Sequence, residues 1–100
     1  MSANPRLMRT ELLLGEDGIR RLQQACVMIV GLCAVGSYTM DAVARSGVGR
    51  LILVDFDIFD ETNINRQILA LTSTVGRKKT AVAAERVREI NPGCEIVVKD

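Results

Sequence analysis

Two short apolar runs, each closed by a residue with a special backbone or a charge, constrain the fold of this chain more than anything else in it. Val27-Met28-Ile29-Val30 ends in Gly31, and Leu51-Ile52-Leu53-Val54 ends in Asp55. Unbroken apolar runs of this length suit strands of a parallel sheet with both faces covered. Parallel neighbours need a crossover long enough to hold a helix. The segment between the runs supplies one: Met40, Val43 and Ala44 fall on one side, Ser37 is the expected N-cap, and Gly47-Val48-Gly49 ends it. A preface helix is expected from Glu16, with Asp17 as N-cap and Ile19, Leu22 and Ala25 or Cys26 on one face. A third helix is expected from about Gly76 to Ile90, with Ala83, Val87 and Ile90 at helical spacing and Asn91-Pro92-Gly93 as its stop. Glu95 to Val98 reads as a third strand, so the pattern is α/β.

Between Asp57 and Ser73 no period is sustained, and a long connection with one helical turn near Gln67 to Leu71 is expected. One hundred residues, 48% apolar and 25% charged, provide for one domain. Its sheet would be only half built, so the chain is expected to be a fragment, with a strand edge and a sheet face left uncovered. No apolar run approaches the roughly 20 residues that cross a bilayer, and the first nine residues lack the apolar stretch of a secretory signal. A cytoplasmic location without membrane attachment is the expectation. A net charge of +1 creates no global field for nucleic acid. Cys26, Cys33 and Cys94 have no Cys-x-x-Cys spacing and there is no His, which argues against zinc and for reduced thiols. All three are expected as small buried fillers rather than nucleophiles.

The turn Gly31-Leu32-Cys33-Ala34-Val35-Gly36 joins a strand to a helix, where backbone N–H groups and the helix dipole hold anions. Asp55 follows Gly36 by nineteen positions, at the end of the second strand, where a carboxylate accepts hydrogen bonds from ribose hydroxyls. The fold class is thus a Rossmann-like βαβαβ nucleotide-binding half with a parallel sheet, preceded by an N-terminal helix. The turn alone is also compatible with a plain strand-turn-helix, because Cys33 stands where close approach to phosphate favours glycine. Beyond it, Asp57 and Arg66 are expected at the carboxyl edge of the sheet, where open α/β sheets bind ligands. Capping the loop after the strand is the lesser alternative reading of Asp57. Lys79 near a helix start opposes the dipole, which favours a ligand role. Arg77-Lys78-Lys79 has no aromatic neighbour for base stacking, so phosphate ligation with solvated neighbours is preferred to a nucleic-acid patch.

In order and spacing, Val30-Gly31-x-x-x-Val35-Gly36-Ser37, Ala44-Arg45-Ser46-Gly47-Val48-Gly49, Val54-Asp55-Phe56-Asp57, Thr62-Asn63-x-Asn65-Arg66-Gln67, Val75-Gly76-x-x-Lys79 and Ile90-Asn91-Pro92 resemble the E1-like adenylating family, which includes the ThiF, MoeB and HesA enzymes. Residues 1–100 would then be the N-terminal part of an ATP-binding adenylation domain. The opening Arg9-Thr10-Glu11-Leu12-Leu13-Leu14-Gly15 and the end of the turn are most similar to the branch that dehydrates threonylcarbamoyladenosine in tRNA. The resemblance implies that a substrate carboxylate attacks the α-phosphate of ATP. On the family's pattern Gly31, Val35 and Gly36 form the nucleotide turn, Asp55 holds the ribose, Arg66 and Lys79 contact the phosphates, and Asn63 orients them. Asp57 would place Mg²⁺, and Arg9 would reach across a homodimer to the partner's nucleotide. The implied partners are ATP, tRNA, a second copy and a sulfur-relay or sulfur-carrier protein. The family's second and third turn glycines are replaced by Cys33 and Ala34. Adenylation of a sulfur-carrier protein is the sister reading. An NAD-dependent oxidoreductase leaves Arg66 and Lys79 idle, and a degenerate, non-catalytic module is the third class.

Overall fold

The structure, a computed structural model, describes residues 4–100. A 3-10 turn, Pro5–Leu7, leads into helix α1 (Met8–Gln24), followed by β1 (Cys26–Val30), α2 (Ala34–Arg45), β2 (Arg50–Val54), a 3-10 turn at Glu61–Asn63, α3 (Lys79–Ile90) and β3 (Glu95–Lys99). The strands are parallel in the order β1-β2-β3, with Ile29 beside Leu53 and Leu53 beside Val98. This is the βαβαβ order expected from the sequence.

One face of the sheet carries the core. Ile29, Leu51 and Leu53 share it by the two-residue period of a strand, and they pack with Met40 and Ala44 of α2, Ala83 and Val87 of α3, and Phe59. Both helices therefore lie on one side. The opposite face is bare: Met28 is exposed and Val30 is 72% exposed. Helix α1 crosses the amino-terminal end of the strands, where the Gly49 N–H donates to the Leu22 carbonyl (3.1 Å) and the Arg50 N–H to that of Ala25 (3.2 Å).

Several boundaries differ from the sequence reading. Helix α1 begins at Met8, and the expected start at Glu16 marks its second part, because Gly15 at φ +76° breaks the helix. Helix α2 begins at Ala34, so Ser37 is no cap; it is buried in the first turn, its hydroxyl donating to the Ala34 carbonyl (3.2 Å). Helix α3 begins at Lys79 rather than Gly76, which sits at φ +87°, while extended Lys78 pairs with Ile58. The 3-10 helix of the long connection lies at Glu61–Asn63, ahead of the expected site, and 67–71 keeps only an isolated turn through the Ala70 N–H to Gln67 carbonyl bond (3.0 Å). A capping box explains the earlier position: Asp60 accepts from the Thr62 N–H (3.0 Å), and Asn63 accepts from the Asp60 N–H (2.9 Å). Among the described residues no helix is long and apolar enough to cross a membrane.

Candidate functional site

The carboxyl end of the sheet is organised by Asp55. It is 7% exposed, and its oxygens accept from two backbone donors: Oδ2 from the Leu32 N–H at 2.7 Å and Oδ1 from the Asp57 N–H at 2.8 Å. Charge-assisted bonds of this kind are among the stronger ones in proteins. They tie the turn after β1 to the loop after β2. The Gly31 N–H extends the strand ladder to Val54 (2.8 Å), and φ +91° at Gly31 then swings the chain toward α2. Gly36 has a different task. A Cβ there would overlap the Gly31 carbonyl oxygen, so only glycine lets the first turn of α2 lie on the strand end.

Helix α2 starts without a side-chain cap, since Cys33 occupies the N-cap and makes no capping hydrogen bond. The N–H groups of a first helical turn have no intrahelical acceptor and carry the positive end of the dipole. Val35 is exposed at this mouth.

Lys79 comes to the same place from a distance of more than forty residues. The loop after Asp57 folds back through a Phe59 N–H bond to the Arg77 carbonyl (2.9 Å), a Gly76 N–H bond to that of Phe59 (2.8 Å) and a Lys79 N–H bond to that of Asp57 (3.1 Å). The Lys79 stem then crosses the buried Phe59 ring, with Nζ 5.6 Å from the ring centre. Its ammonium ends 3.8 Å from the Cys33 sulfur. Lys79 is 3% exposed, and no carboxylate among the described residues pairs with it. A buried charge without a counterion is costly, and an anion at this end of the sheet would offset that cost.

The adjacent cations do not join this site. Arg77 pairs with Glu85 (2.7 Å) and Lys78 with Asp100 (2.8 Å), both at the surface. Arg77 holds the Glu85 carboxyl below the usual range, and Lys78 does the same for Asp100.

Of the other residues singled out from the sequence, Asp57 is exposed beside Asp55. Arg66 is exposed and folded onto its own loop, Nη1 donating to the Thr62 carbonyl (3.1 Å) and Asn65 Oδ1 (2.8 Å). It borders a shallow depression of about 240 Å³ with Tyr38 of α2 and Gln67. Asn63 spends its side-chain oxygen in the capping box. Arg9 is exposed on the first part of α1. The structure thus gathers Gly31, Val35, Gly36, Asp55, Asp57 and Lys79, and leaves Arg66, Asn63 and Arg9 in local or exposed positions.

Two features escaped the sequence reading. Cys33 is exposed rather than a buried filler, because it stands at the uncapped helix start facing outward; Cys26 is exposed as well, on an uncovered edge strand, and only Cys94 is buried. Phe59 guides Lys79, and an aromatic ring among the polar residues of that loop was the available signal, although Phe56 in the same loop is exposed. Gln67 is buried with Oε1 lacking a donor among the described residues. No group of three metal-ligating side chains occurs among those residues. A larger cavity, about 570 Å³, lies at the far end of α2 and α3, where Arg45 and Arg86 both turn to Asp41 and Arg6 to the Ile90 carbonyl.

Comparison with known proteins gives this geometry a setting. The model of the ThiF family matches residues 5–100. The tRNA threonylcarbamoyladenosine dehydratase of Bacillus subtilis is 47% identical over 89 residues, 89% of this chain and 35% of that protein. The crystal structure of the Escherichia coli tRNA N6-threonylcarbamoyladenosine dehydratase in complex with ATP superposes with a TM-score of 0.93 at 43% identity, covering 95% of this chain and 39% of that one. A probable adenylyltransferase/sulfurtransferase, MoeZ, of Mycobacterium tuberculosis is 40% identical over 79 residues, 79% of this chain and 20% of that protein. The chain spans about a third of the length of the dehydratases it matches.

Proposed function

The chain belongs to the ThiF family, and on that premise we propose that it supplies the nucleotide-binding half of an ATP-dependent enzyme that adenylates a carboxylate. The substrate in this reading is the threonylcarbamoyl group on a tRNA adenosine, and the enzyme acts in the cytoplasm. The carboxylate attacks the α-phosphorus of ATP, the bond to pyrophosphate breaks, and an acyl-adenylate forms. Intramolecular attack on the activated carbonyl then expels AMP and closes a ring, with net loss of water from the substrate.

The observation that carries the reading is Lys79: a buried ammonium with no carboxylate partner among the described residues, beside the uncapped start of α2. Negative charge grows on phosphoryl oxygens during the transfer, and preorganised cations and N–H dipoles stabilise it most where water is excluded. Gly31, Val35 and Gly36 form the wall against the phosphates. Asp55 keeps lone pairs for the ribose while clamping the turn. Arg66 and Asn63 reach the phosphates after leaving their local partners, as loop residues often do when a ligand orders them.

Asp57 fits a role beside Mg²⁺, because that ion in nucleotide sites is held by one or two carboxylates together with phosphate oxygens. Bound there, Mg²⁺ would offset the phosphate charge. In a homodimer the first part of α1, exposed at Met8, Leu12, Leu13 and Leu14, carries Arg9 toward the partner's nucleotide. Similarity to the adenylyltransferase/sulfurtransferase favours, as second reading, the carboxyl terminus of a sulfur-carrier protein as the substrate.

Thermal denaturation with ATP and Mg²⁺, and separately with NAD, tests the nucleotide. A rise in Tm with ATP alone is expected, at roughly 2.7 kcal/mol for ligand at a hundred times its Kd. A rise with neither would favour the non-catalytic module, and a rise with NAD alone the dehydrogenase reading.

A further inference from the structure

We propose that Cys33 is a modification site for peroxides, its thiol being oxidised beside the Lys79 ammonium to a sulfenic acid that closes the nucleotide turn. The reactivity of the thiol stands on its own geometry; the closure rests on the nucleotide reading above.

The chain provides its own controls. Cys94 is buried, and burial pushes its thiol up. Cys26 is exposed on β1, and its lateral neighbour Arg50 turns to Glu95 (3.6 Å). Cys33 alone combines exposure with two sources of positive potential. One is the start of the twelve-residue helix α2, left without a side-chain cap. The other is independent of it: the Lys79 ammonium, held 3.8 Å from the sulfur by a stem that is 3% exposed and packed over Phe59. A surface lysine would swing into water, whereas this one is confined at the sulfur.

The chemistry follows from that confinement. Sulfur attacks one oxygen of hydrogen peroxide, and the O–O bond breaks. The departing hydroxide takes up the proton lost by the thiol and leaves as water. Sulfur gives up two electrons and the peroxide gains them, so thiol plus hydrogen peroxide yields sulfenic acid plus water. Loss of the thiol proton places negative charge on sulfur, the attack passes that charge to the departing oxygen, and the ammonium donors lie within reach of both. The sulfenic oxygen then occupies space at the turn and takes a Lys79 hydrogen bond that a phosphate would otherwise receive. Bound nucleotide, for the same reason, shields Cys33.

The test uses the reduced, intact chain exposed to hydrogen peroxide with a 1,3-diketone that traps sulfenic acid, followed by peptide mass spectrometry. Cys33 is expected to label at least about tenfold faster than Cys26, with Cys94 slowest, given the dependence of thiol reactivity on a nearby cation and exposure. Equal labelling of Cys33 and Cys26 would overturn the proposal. Lys79→Gln is expected to bring Cys33 down to the rate of Cys26 and Lys79→Arg to restore most of the difference; an unchanged rate in Lys79→Gln would remove the cation from the account. Saturating ATP is expected to slow labelling of Cys33 and not of Cys26. Oxidised protein is expected to lose its ATP-dependent rise in Tm and regain it with dithiothreitol, and a rise that survives oxidation would overturn the closure. If reduced protein shows no rise with ATP, the nucleotide reading fails while the labelling order still decides the reactivity of Cys33.

Discussion

At the amino-terminal end of the sheet, backbone meets backbone: a Cβ at Gly49 would overlap the Gln23 carbonyl oxygen, one at Gly47 would come within 2.8 Å of the Leu7 methyls, and Asn91 Nδ2 donates to the Val48 carbonyl at 3.0 Å. At the carboxyl end, polar groups hold a gap open. Asp55 spans two loops, α2 begins uncapped, and Lys79 brings a charge into the rim that no carboxylate among the described residues meets. At the first end the charged groups are met, those beside its cavity included, since Arg45 and Arg86 both turn to Asp41, while the second retains unmet hydrogen-bonding and charge. Ligand sites are commonly built on such local costs, which the rest of the fold sustains.

Substitutions sharpen this contrast by separating stability from binding. Gly49→Ala forces the start of β2 away from α1 and is expected to cost roughly 3–5 kcal/mol, read as a lower Tm, with nucleotide affinity retained in the folded fraction. A large loss of affinity at full stability would break the contrast. Lys79→Met is expected to do the opposite. ATP affinity falls on the order of a hundredfold in a binding titration, while stability stays within about 1 kcal/mol of the parent or rises, because an uncompensated buried charge is replaced by apolar volume.

Arg66→Ala should be milder on both axes. Its guanidinium is exposed and locally bonded, so stability is expected to change by less than about 0.5 kcal/mol and ATP affinity by roughly 5- to 10-fold. A loss as large as that of Lys79→Met would mean that the 61–67 loop reorganises fully on binding. The smallest effect concerns acid. Burial raises the Asp41 carboxyl, but hydrogen bonds from Arg86 and Arg45 outweigh it, and the group is held below its ordinary value of 3.8. A carboxylate depressed on folding contributes stability that is present above that ordinary value and is lost as pH falls through the folded one. Asp41→Asn should therefore flatten the acid limb of a Tm-against-pH curve below about pH 4 and leave ATP binding untouched.

Much of this was legible in the residues. The runs at 27–30 and 51–54 became β1 and β2, and the pattern ending at Asn91 became α3, because burial on a sheet face or helix stripe leaves a local period in sequence. Helix starts were less legible. Ser37 looked like a cap by residue type, yet α2 starts three residues earlier at Ala34, since the bend at Gly31 and the close approach at Gly36 set the entry. Arg77, Lys78 and Lys79 are neighbours in sequence with three different fates. Glu85 takes one, Asp100 takes another, and the Phe59 ring steers the third inward.

By itself, then, the sequence determined the parallel α/β order, the placing of Gly31 and Asp55 at the strand ends and of Gly36 close after them, and the family, because strand period, turn glycines and motif spacing are all properties of neighbouring residues. Tertiary structure alone decided which cation is buried at the turn, that Asp55 already clamps the turn after β1 through the Leu32 N–H, and that Cys33 faces outward beside Lys79. Those outcomes depend on groups separated by more than twenty positions coming together, and the electrostatic cost of each is fixed only by the burial and partners it finds there.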